Sequence, residues 1–360
     1  MKIYKAAIIG LGPSGLAVNK ILYGDSSDEI IAFENEDLNR RDNFFGFWLT
    51  DWMRPFEKII EKKWQKWSIG NKNIEVTHTS IDKPYCVISF KIWKRFCLET
   101  KNKLKIKNKK VARYFPEKNF FKIITDDKKE YYAEKIYDSR SVKEKKGELI
   151  QHFFGINIAA ADNTFNEKKL TLMHFTEENN VLHFMYILPF SHNEALVEST
   201  VFSKEVFNSS WYRNKINDYL KKNNITEFKE KSIEKGIIPM FFAEEKKSAN
   251  SNIFNIGIRG GACKPSTGYA FSFLIKQIQL LKNSKKNYVT THKFLDRKMD
   301  KIFINFLKNN RENGDSFINL ASTLNGNEFQ SFMMGESNLL TKLKIIKSMP
   351  KLPFIKELFK

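Results

Sequence analysis

The chain has 360 residues, 42% of them hydrophobic and 28% charged, with 61 Lys and Arg against 41 Asp and Glu for a formal net charge of +20. That length accommodates two domains, or one domain with a large insertion, and no stretch approaches the ~18–20 consecutive apolar residues of a membrane-spanning helix. Cys86, Cys97 and Cys263 form no CxxC pair, and neither they nor the six histidines show ligand spacing, so no metal is expected and a reducing, cytoplasmic setting is.

The basic excess suits a polyanionic partner, either nucleic acid or an anionic membrane surface. The lysines are spread along the whole chain with no RNA-binding motif or recognition-helix pattern, which argues against nucleic acid. A low-GC genome produces the same abundance of Lys, Asn, Ile and Phe without any functional pressure.

In "IIGLGPSGLAV", residues 3–9 form an apolar run of strand length and residues 13–22 follow with helical period, placing Gly10, Gly12 and Gly15 on the turn between them. This is the spacing of a dinucleotide-binding turn. The first glycine makes the turn, the second admits backbone amides to a pyrophosphate, and the third lets the helix pack on the strand. Lys2 and Lys5 ahead of small apolar residues would also suit a signal peptide. However, "IIAFE" at residues 30–34 supplies a second strand ending in an acid, Glu34, where a ribose hydroxyl needs a carboxylate.

An aromatic stretch, "DNFFGFWLTDW", precedes "PYCVISFKIWKRFCLET", whose Val87, Phe90, Trp93 and Phe96 recur near helical spacing. From residue 110 the chain alternates in short runs broken by turn residues, a three-strand meander feeding a strand at residues 135–138 that ends in Asp-x-Arg. This order of elements resembles flavoprotein-hydroxylase folds and points to FAD rather than free NAD. "KLTLMHF", "VLHFMYILPF" and "EALVESTVF" predict antiparallel strands of a separate sheet. "NIFNIGIRGGACKPSTGYAFSFLIKQIQLL" then returns to strand, glycine-rich turn and amphipathic helix. Beyond residue 284 the chain is predicted helical. The expected class is α/β: a Rossmann-like FAD-binding domain of the flavoprotein-hydroxylase type (1–150, returning at 250–284), an antiparallel β substrate domain (151–249) and a helical C-terminal segment (285–360).

Two features carry chemistry by pattern. Glu198 lies in an apolar strand between Leu196-Val197 and Thr200-Val201-Phe202, although strand glutamates commonly face solvent. The loop from Lys264 to Gly268 opens a helix and suits amides set against phosphate or ring oxygens, or a plain helix cap at Ser266 or Thr267.

Taken in order, "IIGLGPSGLAV", "FWLTDW", "YDSRSV", "QHFFGINI", "LPFSHNEALVEST", "EKGIIPM", "GGACKPSTGY" and "FLDRKMDKIF" resemble the lycopene cyclases, FAD-dependent enzymes that close the end rings of carotenoids. The resemblance implies reduced FAD, with NADPH as the expected reductant, and lycopene as substrate. It also implies an isomerisation to gamma- and then beta-carotene without net redox change, and peripheral attachment to the cytoplasmic membrane. It would place the ADP half of the flavin at Gly10, Gly12, Pro13, Ser14, Gly15 and Glu34. Arg140 and the Gly260, Gly261, Lys264, Pro265, Ser266, Thr267 and Gly268 loop would lie nearer the isoalloxazine.

Glu198 is then the expected proton donor, with Phe44, Phe45, Phe47, Trp48, Phe184 and Tyr186 as candidate lining. The chain departs from the family at Ile156-Asn157, at His174 and Ser199 where acids are common, and at Ser141 where glycine is. Lys342, Lys344, Lys347 and Lys351, set among Leu343, Ile345, Ile346, Met349, Leu352 and Phe354, are the expected docking stretch for an anionic bilayer. The alternatives are a flavin monooxygenase or reductase of the same fold, and a non-catalytic carotenoid or lipid carrier.

Overall fold

The computed structural model describes residues 1–40, 43–142, 145–178, 180–242, 248–309 and 314–349. β1 (Ile3–Tyr4) and β2 (Ala6–Ile9) lead into α1 (Pro13–Ala17), which continues as a π-helical turn over Val18–Leu22. β3 (Glu29–Phe33), β4 (Phe44–Trp48), β5 (Lys62–Trp64), β6 (Lys66–Gly70), β7 (Glu75–Thr79) and β8 (Tyr85–Ser89) follow. α2 (Phe90–Leu98) starts where β8 ends, capped by the Ser89 hydroxyl accepting from the Ile92 amide. After β9 (Lys103–Lys107) comes the meander β10 (Val111–Pro116), β11 (Phe121–Thr125) and β12 (Glu130–Ala133), then β13 (Ile136–Asp138).

The long strands are β14 (Ile150–Ala160), β15 (Lys169–Thr176), β16 (Leu182–Pro189) and β17 (Glu194–Ser203), then, beyond α3 (Ser209–Lys222), β18 (Phe228–Pro239). β19 (Ile253–Asn255) and a 3-10 turn at Gly257–Gly260 precede five helices: α4 (Phe271–Lys282), α5 (Phe294–Asn309), α6 (Asp315–Thr323), α7 (Gly326–Met333) and α8 (Leu339–Ser348).

Three layers position the site. The strands β19-β13-β2-β3-β9 form a parallel sheet, and inner strands β2 and β3 are apolar runs because both their faces are covered. The second sheet, β18-β14-β17-β16-β15-β6-β7, is antiparallel except at the β15–β6 pair. Its inner face joins the main core, and its outer face is covered by Tyr212, Ile216 and Leu220 of α3. The small sheet β4-β8-β5 brings the aromatic stretch against that inner face.

The α/β architecture is the expected one, with local differences. β6 and β7, inside the segment assigned to the flavin domain, pair into the second sheet. The stretch read as helical from residue 84 is a strand up to Ser89, because every residue of β8 is buried. The C-terminal docking stretch divides. Lys342 is buried, its Nζ 2.5 Å from Asp296 Oδ1 at the start of α5, and Lys344 pairs with Glu328. Ile345 and Met349 face the core, whereas Leu339, Leu340, Leu343 and Ile346 are exposed. Lys351, Leu352 and Phe354 lie outside the described residues. Among the described residues no helix is long and apolar enough to cross a membrane.

Candidate active site

The strand–turn–helix at the N-terminus is shaped for close backbone approach. Gly10 adopts a left-handed φ of 89°, Gly12 is the N-cap residue and Pro13 opens the helix. A Cβ on Gly15 would stand 2.0 Å from the Gly10 carbonyl oxygen, so only glycine lets α1 pack this close. Glu34, at the end of β3, accepts from the Leu11 amide at 2.8 Å and the Glu36 amide at 3.1 Å, drawing the acid onto the glycine turn. Ser14 abuts Gly257 of the returning segment. The structure thus brings Gly10, Gly12, Pro13, Ser14, Gly15 and Glu34 together.

At the end of β13 the buried Asp138 carboxylate receives Arg140, whose Nε and Nη2 lie 2.9 and 2.6 Å from its two oxygens. Arg259 Nε lies 3.5 Å from the same carboxylate. Arg140 is therefore held in a fork on its own loop.

In the glycine-rich return, Gln277 clamps the 3-10 turn, accepting from the Gly257 amide and donating to the Gly260 carbonyl, both at 2.7 Å. Gly261 and Gly268 take left-handed backbones. The side chain of Lys264 is not aimed at a ligand, since its Nζ is 2.5 Å from Asp300 Oδ1 on α5, with both side chains 1% exposed. Ser266 donates to the same oxygen at 2.6 Å. Thr267 Oγ1 and Gln151 Oε1, which packs against Gly268, are buried and have no hydrogen-bond partner among the described residues.

Glu198 sits deeper, on the inner face of the second sheet. Central strand β14 presents Gly155 between Glu198 of β17 and Glu234 of β18, each in register opposite it. A Cβ on Gly155 would lie 3.1 Å from Glu234 Cγ and 3.4 Å from Glu198 Cβ, so the glycine leaves the gap over which the two carboxyls meet. Both residues are 6% exposed, and the carboxyls are hydrogen-bonded to each other. Thr200 donates to Glu198 Oε1 at 2.5 Å, and the Phe44 amide donates to Glu234 Oε2 at 2.7 Å. Burial pushes Glu198 up to about 7, against the opposing hydrogen bonds of Thr200 and Glu234. An acid so placed keeps its proton to a higher pH than an exposed glutamate does.

Aromatic side chains close the space over this pair. Tyr186 is in register opposite Glu198, its hydroxyl 2.9 Å from that of Tyr85, and the Tyr269 hydroxyl lies 3.5 Å from Tyr85. Burial holds all three phenols well above their ordinary ionisation range. Trp48 meets Tyr85 edge-on at 4.9 Å and tilts over Tyr269 at 5.2 Å, while Phe44 packs on Phe190 at 4.9 Å.

Three expected lining residues lie elsewhere. Phe45 and Phe47 alternate to the other face of β4, where Phe45 stacks on Phe271 at 4.6 Å and Phe47 tilts against the same ring. Phe184 belongs to a cluster with Phe175 and Phe202. Ser199 points to the outer face, where its hydroxyl bonds His183, and His174 lies on that side against Tyr219 of α3. Neither reaches the carboxyl pair. Gly155, Thr200, Tyr85 and Tyr269 were not legible as site residues in sequence, because only the strand register sets them beside Glu198.

Residues 6–358 match the family described as lycopene cyclase protein. The chain belongs to the lycopene cyclase family. It is 24% identical over 295 residues, 74% of its length, to a chromoplastic capsanthin/capsorubin synthase of Citrus sinensis, and the match spans 57% of that relative. Solved structures share the fold. A geranylgeranyl bacteriochlorophyll reductase-like protein of Thermoplasma acidophilum superposes with a TM-score of 0.64 at 10% identity, covering 100% of this chain and 99% of that one. HpxO of Klebsiella pneumoniae, a variant complexed with FAD, gives 0.59 at 11% identity over 97% and 100% of the two chains. The halogenase PltM, in complex with FAD, gives 0.57 at 10% identity over 94% and 78%.

Proposed function

We propose that this lycopene cyclase family member closes the end rings of lycopene by protonation and cation cyclisation, with FAD bound and no net redox change. The observation that carries the reading is Glu198, a carboxyl buried beneath aromatic rings, whose burial raises its ionisation toward neutral pH. Ring closure needs an acid that adds a proton to the terminal double bond, a surface that tolerates a tertiary cation, and a base that removes a neighbouring proton. Glu198 is the acid, brought within reach by its strand rather than by any polar handle on the substrate. The faces of Tyr85, Tyr186 and Trp48 offer the cation quadrupolar stabilisation of ~1–2 kcal/mol each when desolvated, without trapping it.

The residues fit FAD on two counts. The Gly10–Gly15 turn admits no side chain at Gly15, and the 264–268 loop and Gln151 carry buried polar atoms, Thr267 Oγ1 and Gln151 Oε1, that lack partners among the described residues. Gly10, Gly12, Pro13, Ser14, Gly15 and Glu34 would hold the ADP half, and Asp138, Arg140 and the Gly260–Gly268 loop the remainder. When bound in its reduced form, with NADPH as the electron source, FAD supplies negative charge that stabilises a carbocation. Lycopene comes from a bilayer, and we place docking on the exposed Leu339, Leu340, Leu343 and Ile346 face of α8, aided by the chain's positive charge.

Expression in lycopene-accumulating cells tests the reading. Ring closure turns the red pigment orange or yellow, whereas a carrier leaves it red. Consumption of NADPH and oxygen in proportion to product would instead mark a monooxygenase.

A further inference from the structure

Acid and base need not be the same group, and the pair over Gly155 provides two. We propose that Glu234 is the second catalytic carboxyl: it takes the proton that the cyclised cation loses and returns it to Glu198 across their hydrogen bond. This rests on the cyclase reading. The two partners divide the roles. A backbone amide can only donate, and the Phe44 amide at 2.7 Å favours the carboxylate form of Glu234. Glu198 instead accepts from the Thr200 hydroxyl, and burial outweighs that bond in favouring its acid form. Two buried carboxyls in contact hold one proton between them.

The cycle balances. The Glu198 proton forms the new C–H bond at the terminal alkene, and the second alkene forms the ring C–C bond to the resulting cation. A C–H bond then breaks, its electron pair becoming the ring double bond and its proton passing to Glu234. For a β ring, the carbons that gain and lose a proton are both bonded to the same quaternary carbon, so two adjacent carboxyls reach both. Transfer of the proton from Glu234 to Glu198 restores the start, with no oxidant or reductant consumed.

Glu234→Gln keeps size and the contact to the Phe44 amide but cannot take a proton. With flavin content and melting temperature as checks on folding, its kcat for lycopene in vesicles is expected to fall about 100-fold or more, and Glu234→Asp to recover at least ten-fold of that loss. A kcat for Glu234→Gln within three-fold of wild type, or Asp no better than Gln, overturns the proposal while the cyclase reading stands. If wild type itself leaves lycopene linear, both fall. Infrared spectra of the purified protein without lycopene then still report on the pair: a protonated-carboxyl band at neutral pH that moves in Glu234→Gln supports proton sharing, and an unmoved band contradicts it.

Discussion

The two faces of the second sheet both bury polar side chains, yet they treat them in opposite ways. On the outer face, under α3, every atom of the His152 ring is satisfied. Tyr212, which accepts from the Phe207 amide, donates to Nδ1, and Nε2 faces Ser203 Oγ, which itself donates to the Glu205 carbonyl. His183 is bracketed by Thr176 and Ser199 in the same manner. Burial pushes these rings down to about 4 and about 3, so they stay neutral at any physiological pH. On the inner face the titrating groups are two carboxyls in contact, and burial brings Glu198 to about 7 rather than away from it. A satisfied network that cannot titrate is architecture, whereas a pair balanced near neutrality is equipped to move protons. Glu198 and Ser199, adjacent in sequence, fall on opposite sides of this divide because strand side chains alternate.

The largest expected effect separates these neighbours. Glu198→Gln should lower ring closure by about 100- to 10,000-fold with flavin still bound, and Glu198→Asp should weaken it sharply. Ser199→Ala should leave activity per folded molecule within a few-fold, as read by chromatography of the pigments. If Ser199→Ala were as damaging as Glu198→Gln, the two faces would not differ in role.

Next comes the gap between the carboxyls. Gly155→Ala puts a methyl 3.1 Å from Glu234 Cγ and 3.0 Å from Leu196 Cδ1. It should cost about 1–3 kcal/mol in urea unfolding and at least ten-fold in activity, by forcing the pair apart. The outer counterpart, Tyr212→Phe, removes the donor to His152 Nδ1. It should cost a similar ~1–3 kcal/mol while activity per folded molecule holds.

The smallest effect is a pair of opposite pH limbs in stability. The outer histidines have folded values below their ordinary 6.5, so their contribution is complete above 6.5 and is lost as pH falls through about 4 and then 3. Glu198 has a folded value above its ordinary 4.5, so its contribution is complete below 4.5 and is lost as pH rises through about 7. Urea midpoints across pH 4–8 should show the upper limb flattened in Glu198→Gln and the lower limb retained.

What the sequence made legible follows from how local each feature is. The glycine turn, the meander and the strands β15, β16 and β17 rest on short-range pattern, and they lie where expected. β14 and β18 were not read as strands. Ile150–Ala160 is buried on both faces over residues 154–158, which blurs its alternation, and Phe228–Pro239 is an edge strand with Lys and Glu throughout its first half, a composition that guards edges against pairing. Because those two strands carry Gly155 and Glu234, the register that sets Glu234 beside Glu198 was hidden with them. Lys264 shows the converse: it was expected in the cofactor loop, but α5 supplies Asp300, 36 residues on, and takes its charge.

The central claim is that Glu198 is an acid still protonated near neutral pH, and infrared titration of its carboxyl band, assigned by its loss in Glu198→Gln, measures this directly. The expected midpoint is about 7 for the protein without flavin. A midpoint at its ordinary 4.5 would mean that Glu198 is ionised at neutral pH, and that the proton for the proposed ring closure comes from elsewhere.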